Sequence, residues 1–185
     1  DLDLAHENLD EVEAALYKVA GRFDGQVFVA KNIPSRETGK MHTARYEVSI
    51  PTPFKAMAPS ILLEVFPIVP KYETVVLDRI TTSFYDCRIQ VRLPTTESML
   101  GDKLSALACP SIGVPFPDPE KIPNAEIKGD MLRVYKHFYD AAELLAACPQ
   151  YGNALNGFNK CIDSQNQYRS TNYDFETCIQ DLKNT

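Results

Sequence analysis

Over residues 1–93 the apolar side chains recur mainly at every second position, and over 94–185 they recur three and four residues apart. Alternation by two puts one face of a strand on a core, while spacings of three and four put one stripe of a helix there. The opening stretch 1–4 (DLDL) alternates acid with leucine, as a half-buried strand does. A helix over 7–19 follows, with Leu9, Val12, Leu16 and Val19 along one stripe. Strands are predicted over 26–30, 43–50, 60–69, 74–80 and 87–93, with a polar loop over 32–42. Within them, 61–65 (ILLEV) is apolar except at Glu64, the pattern of a central strand covered on both faces.

The helical spacing begins over 95–109, with Met99, Leu100, Leu104 and Leu107 as its stripe. Pro110, Pro115, Pro117, Pro119 and Pro123 break the pattern over 109–125, which predicts a long, mobile loop of the kind that carries function. A second long helix is expected over 126–148, its stripe made of Ile127, Met131, Val134, Tyr135, Phe138, Ala142 and Leu145. Two shorter helices follow near 151–165 and 173–182. The fold class is therefore α/β (α+β): a mixed-sheet subdomain over 1–93 and a helical subdomain over 94–185.

A length of 185 residues suits one domain, or a domain with a helical appendage. Hydrophobic content of 44% and charged content of 24% are those of a soluble globular protein, and no apolar run reaches a membrane span. A net charge of −6 means that any nucleic-acid contact must come from a local basic patch. Five cysteines, odd in number and with no CxxC pair, predict reduced thiols in a cytoplasmic protein. No signal peptide opens the chain, nor does a methionine, and we expect a natural N-terminal segment ahead of Asp1.

Lys103 is the residue that asks most for a chemical explanation. At 100° per residue it falls between Met99 and Leu100, inside the stripe of its own helix. A buried ammonium needs an anion, whether carboxylate or phosphate, unless it lays its stem over the core and sends its head to water. Asp1 and Asp3 share one strand face and repel each other unless a cation such as Mg²⁺ lies between them. Acids also gather at frayed ends, so the pair alone is a weak signal. Glu64, the single acid of its apolar strand, is the third ligand that would complete a metal clamp. Its plain alternative is an ion pair with Arg79 or Arg88. Glu47 competes with it, from a strand whose alternation turns it toward water. Lys136 and Asp140 are spaced i, i+4 off the stripe of the second long helix, where periodicity favours an ordinary solvated pair. The three histidines show no metal-ligand spacing, and no serine sits in a nucleophile elbow.

Three runs, 94–104 (PTTESMLGDKL), 109–116 (CPSIGVPF) and 135–145 (YKHFYDAAELL), resemble the AbiEii/AbiGii toxin nucleotidyltransferases. These belong to type IV toxin–antitoxin and abortive-infection systems, within the DNA polymerase β-like superfamily, and the likeness covers nearly the whole chain. The resemblance implies a Mg²⁺-dependent transfer of a nucleotide from an NTP to an acceptor such as tRNA, with a cognate antitoxin as possible partner. It implies metal ligation by Asp1, Asp3 and Glu64, and functional roles for Lys103 and Asp140. Lys136 joins Lys103 as a candidate nucleotide contact. It also implies a Gly-Ser motif shortly before the DxD, which this sequence does not contain. Two rivals remain: a degenerate module that binds a nucleotide or partner without turnover, and an aminoglycoside-type enzyme acting on a small molecule.

Overall fold

The computed structural model describes residues 2–23, 27–31, 43–49, 60–69, 71–81, 83, 86–114, 124–148 and 150–185. Asp1, the loop 32–42 and residues 115–123 of the proline-rich stretch lie outside the described residues. The chain divides into two compact units, Asp1–Pro70 with Tyr168–Ser170, and Lys71–Gln167 with Thr171–Thr185.

The first unit is a sheet covered on one face by a helix. Strands β1 (Leu2–Ala5), β2 (Phe28–Lys31), β3 (Ala44–Ser49) and β4 (Ser60–Phe66) are ordered β1-β4-β3-β2. β1 runs parallel to β4, and the other neighbours are antiparallel. Helix α1 (Leu9–Ala20) starts where the Asn8 side chain accepts hydrogen bonds from the Asp10 and Glu11 amides, two donors that the first turn would otherwise leave unpaired. Leu9, Val12 and Leu16 then pack on Ala44, Tyr46, Leu63 and Val65. Val19, expected on the same stripe, is 49% exposed, so the helix rolls away from the sheet in its last turn. β4 is an inner strand as expected, but it is covered on one face only, because its burial alternates and Ile61 is exposed.

The second unit carries two short ribbons and the remaining helices, except the last two residues of the fourth helix. β5 (Thr74–Leu77) pairs with β8 (Val91–Pro94), and β6 (Ile80–Thr81) with β7 (Asp86–Cys87), so two of the expected strands each divide in two. Helices α2 (Thr96–Leu107), α3 (Asn124–Ala147), α4 (Tyr151–Arg169) and α5 (Phe175–Asn184) follow. Phe158 of α4 is fully buried beside Ala108, Ile112, Ile162 and Cys178, with the Phe175 ring edge-on to it at 5.9 Å.

The described start of the proline-rich stretch overturns the expectation of a mobile loop there. Ser111, Ile112 and Gly113 are buried, the Ser111 amide donates to Asp181 at 3.1 Å, and the Gly113 amide donates to the Ala108 carbonyl at 2.7 Å. One apolar side chain and two satisfied amides are enough to dock a turn that prolines keep out of regular structure. All five cysteines are free thiols.

Candidate active site

The sheet's two faces are chemically opposite. One carries Leu63, Val65, Ala44 and Tyr46 into the core, so the alternate residues of the same strands belong to the other face. Register then builds a row across three strands on that face. Asp3 of β1 aligns with Glu64 of β4, and Glu64 aligns with Arg45 of β3. Glu64 and Arg45 are partly buried, and Arg45 Nε stands 2.6 Å from Glu64 Oε1. The charges touch while the buried Nε–H has no aligned hydrogen bond among the described residues.

Arg45 is thus the ion-pair partner of Glu64, where the plain alternative had offered Arg79 or Arg88. Arg79 is committed elsewhere, its guanidinium gripping Asp86 across the β6–β7 ribbon. That bond holds the exposed Asp86 carboxyl below the usual aspartate range. Glu47 aligns with Leu62 and Ala30, one pleat along β3 from Arg45 and on the same face by alternation. Among the described residues no three histidine, cysteine or acidic side chains surround a common point. Asp3 and Glu64 nonetheless give two oxygen-donor positions in register on adjacent strands, the donor type that a hard divalent cation takes.

In the second unit the helix ends and crossings place the other candidates. Thr95 caps α2, its hydroxyl accepting from the Ser98 amide at 3.1 Å. Gly101 lies against α4 so closely that a Cβ there would stand 2.3 Å from the Phe158 nitrogen and 2.6 Å from the Ala154 carbonyl oxygen. Two residues further on, Lys103 Nζ lies 3.2 Å from Asp140 Oδ2 of α3. The two side chains are 27% and 25% exposed, so this pair is screened from water without being sealed from it. Met99, placed on the same stripe as Lys103 by the wheel, is 39% exposed.

α3 does not bury the stripe that its sequence suggests. Val134, Ala141 and, just past its end, Cys148 are buried, and Leu144 packs against the cluster of Ala141 and Cys148, whereas Tyr135, Phe138 and Leu145 are exposed. The real core face lies about a quarter turn from the expected one, and Asp140 sits at its edge. Lys136, on the same helix, is exposed.

Two features escaped the sequence reading. One is Arg45, whose signal was its place on the polar phase of an alternating strand. The other is a cluster beside Asp102, where the Cys161 thiol meets Asp102 Oδ1 at 3.6 Å and the Tyr72 phenol feels the charge of Asp102. Burial, followed by the Asp102 charge, pushes the Cys161 thiol and the Tyr72 phenol well above their ordinary values. Both causes favour the neutral thiol of Cys161 over the thiolate that a nucleophile needs.

Asp3, Glu64 and Arg45 belong to the first unit, and Lys103 and Asp140 to the second. No helix among the described residues is long and apolar enough to cross a membrane. No curated protein and no solved structure gives a significant match. A family model described as nucleotidyl transferase AbiEii toxin, type IV TA system, matches residues 1–184, and the chain belongs to that family.

Proposed function

We propose, for this nucleotidyltransferase of a type IV toxin–antitoxin system, that it transfers a nucleotide from an NTP to a nucleic-acid acceptor of the tRNA kind. The observation that carries the reading is the Lys103–Asp140 contact at 3.2 Å. A lysine on a helix stripe is held there by an acid that ordinary periodicity would have left in water. Such a pair sets an ammonium at a fixed point, ready to meet the phosphates of a bound nucleotide as a compact positive charge. Asp140 orients that ammonium, and Lys136 offers a second, exposed charge one turn earlier on α3.

Asp1, Asp3 and Glu64 are the residues that would hold Mg²⁺. The register of Asp3 with Glu64 supports this assignment, while Asp1 enters by strand alternation alone. A bound Mg²⁺ would neutralise charge on the attacking and leaving oxygens. The residues themselves supply oxygen ligands from adjacent strands, which fixes their spacing more firmly than a loop would. A type IV system also implies a cognate antitoxin, and the acceptor and the antitoxin are separate partners in this reading.

The test is incubation of full-length protein with each labelled NTP and total RNA, comparing wild type with Lys103→Ala and Asp140→Asn. Lys103→Ala should lower transfer by about a hundredfold or more, the scale of losing a preorganised charge contact. Its melting temperature should stay within about 4 °C of wild type, because the lysine is a quarter exposed and fills little core. Label transferred to RNA by wild type supports the acceptor class. Undiminished transfer by folded Lys103→Ala rejects the role of the lysine, and label that reaches only small molecules rejects the RNA acceptor.

A further inference from the structure

We infer that Arg45 is the resident counter-ion of the acid row, one that opposes a bare divalent cation and admits a cation arriving with a polyphosphate. This rests on the reading of Asp3 and Glu64 as metal ligands. The juxtaposition is Asp3, Glu64 and Arg45 in register across β1, β4 and β3, with Arg45 Nε 2.6 Å from Glu64 Oε1.

A carboxylate that takes a metal elsewhere in proteins is usually accompanied by other acids or by neutral donors. Here an arginine occupies the adjacent position of the same row. Its guanidinium keeps its charge at any relevant pH, so it cannot step aside by deprotonation as a histidine could. In this partly buried pair the Arg45 guanidinium repels an approaching cation more strongly than it would in water, and it offsets the attraction of Glu64. A divalent ion approaching Glu64 therefore has to displace Arg45 and then stand beside it.

A polyphosphate changes that balance. Its oxygens bind the metal and also offer a planar fork the two acceptors that it prefers. The buried Nε–H, close to Glu64 yet without an aligned hydrogen bond, is a donor that a phosphate oxygen would satisfy better than the present contact does. Cation and polyphosphate then bind with positive coupling, each raising the affinity of the other by the same factor. Arg45 becomes a positioning residue for the polyphosphate, and an empty protein does not fill its acid row with free metal.

The experiment measures Mn²⁺ binding to full-length protein by the electron-spin resonance signal of free Mn²⁺, with and without tripolyphosphate. Arg45→Gln should bind Mn²⁺ alone about tenfold more tightly than wild type, and the gain that tripolyphosphate confers should shrink by a similar factor. Arg45→Lys keeps the charge, so its affinity for Mn²⁺ alone should stay near that of wild type, which controls for changes in folding. Glu64→Gln should weaken Mn²⁺ binding in every background. If Glu64→Gln weakens binding while Arg45→Gln leaves both the affinity and the coupling unchanged, the counter-ion role is overturned and the metal reading stands. If Glu64→Gln has no effect on Mn²⁺ binding, the metal reading itself fails.

Discussion

The two compact units place their candidate residues by different means. In the sheet unit, position comes from register: once β1, β4 and β3 pair, Asp3, Glu64 and Arg45 must fall in one row. The core lies on the opposite face, through Leu63, Val65 and Tyr46, so the row and the packing are separable. In the helical unit, position comes from packing itself. Lys103 meets Asp140 because α2 presses against α4 at Gly101 and Gly157 and against α3 at Leu100, Leu107 and Ala141. A ladder of backbone hydrogen bonds tolerates a cavity beneath it, whereas a helix crossing shifts when either surface changes.

The largest effect expected from this difference is at Gly101. A side chain there meets the backbone of α4, and backbone cannot rotate out of the way. Gly101→Val should lower stability by about 3 kcal/mol or more, the upper end of the overpacking range. Transfer activity per folded molecule should fall with it, because the helix that carries Lys103 has to move. Gly152, in the first turn of α4, has nothing within 4 Å of its missing Cβ. Gly152→Ala should therefore be neutral or stabilising by up to about 1 kcal/mol, through helix propensity alone. Equal melting temperatures for the two variants would show that the α2–α4 crossing is not the tight point.

A smaller effect is expected in the sheet. Val65 is fully buried and directly follows Glu64, with its side chain on the opposite face. Val65→Ala should lower stability by about 2 kcal/mol, for two buried methyl groups and the space they leave. Activity per folded molecule should hold, since the register of Asp3, Glu64 and Arg45 does not depend on that side chain. Chemical denaturation paired with transfer assays at full folding reads both quantities. A loss of activity in folded Val65→Ala as severe as in Gly101→Val would erase the distinction between ladder and crossing.

The same distinction explains what the sequence made legible. Strands β1 and β4, with Asp3 and Glu64 at aligned positions, could be read because a period of two fixes faces without knowledge of partners. α2 could be read because Thr95 caps it and Leu100, Leu104 and Leu107 mark its inner side. α3 was misread because its bulkier residues, Tyr135, Phe138 and Leu145, outweigh the small ones that actually face the core. Ala141 and Cys148 are buried because small side chains let helices approach, a property that hydrophobic periodicity does not weigh. The plain alternative for Glu64 named Arg79 or Arg88 rather than Arg45 for a different reason. Which residue of β3 lies opposite it depends on a pairing across the chain, and no local pattern contains that information.

The smallest expected effect concerns the helix starts, where the two units differ in one titratable atom. α1 is capped by Asn8, whose side-chain oxygen accepts from the Asp10 amide at 3.2 Å and carries no charge at any pH. α5 is capped by Asp174, whose carboxylate accepts from the Thr177 amide at 2.8 Å. That backbone hydrogen bond lowers the Asp174 carboxyl below the usual aspartate range. A group with a depressed folded value contributes stability that is fully present above its unfolded value and is lost as pH falls through the folded one. Protection of the Thr177 amide against hydrogen exchange, corrected for intrinsic rate, should therefore decline as pH drops below the ordinary aspartate range. Protection of the Asp10 amide should not decline over the same interval. Asp174→Asn should flatten the Thr177 profile, since asparagine caps nearly as well and does not titrate. Parallel loss at Thr177 and Asp10 would instead mean that acid unfolds the whole chain at once, and the two units would no longer differ in how their helices begin.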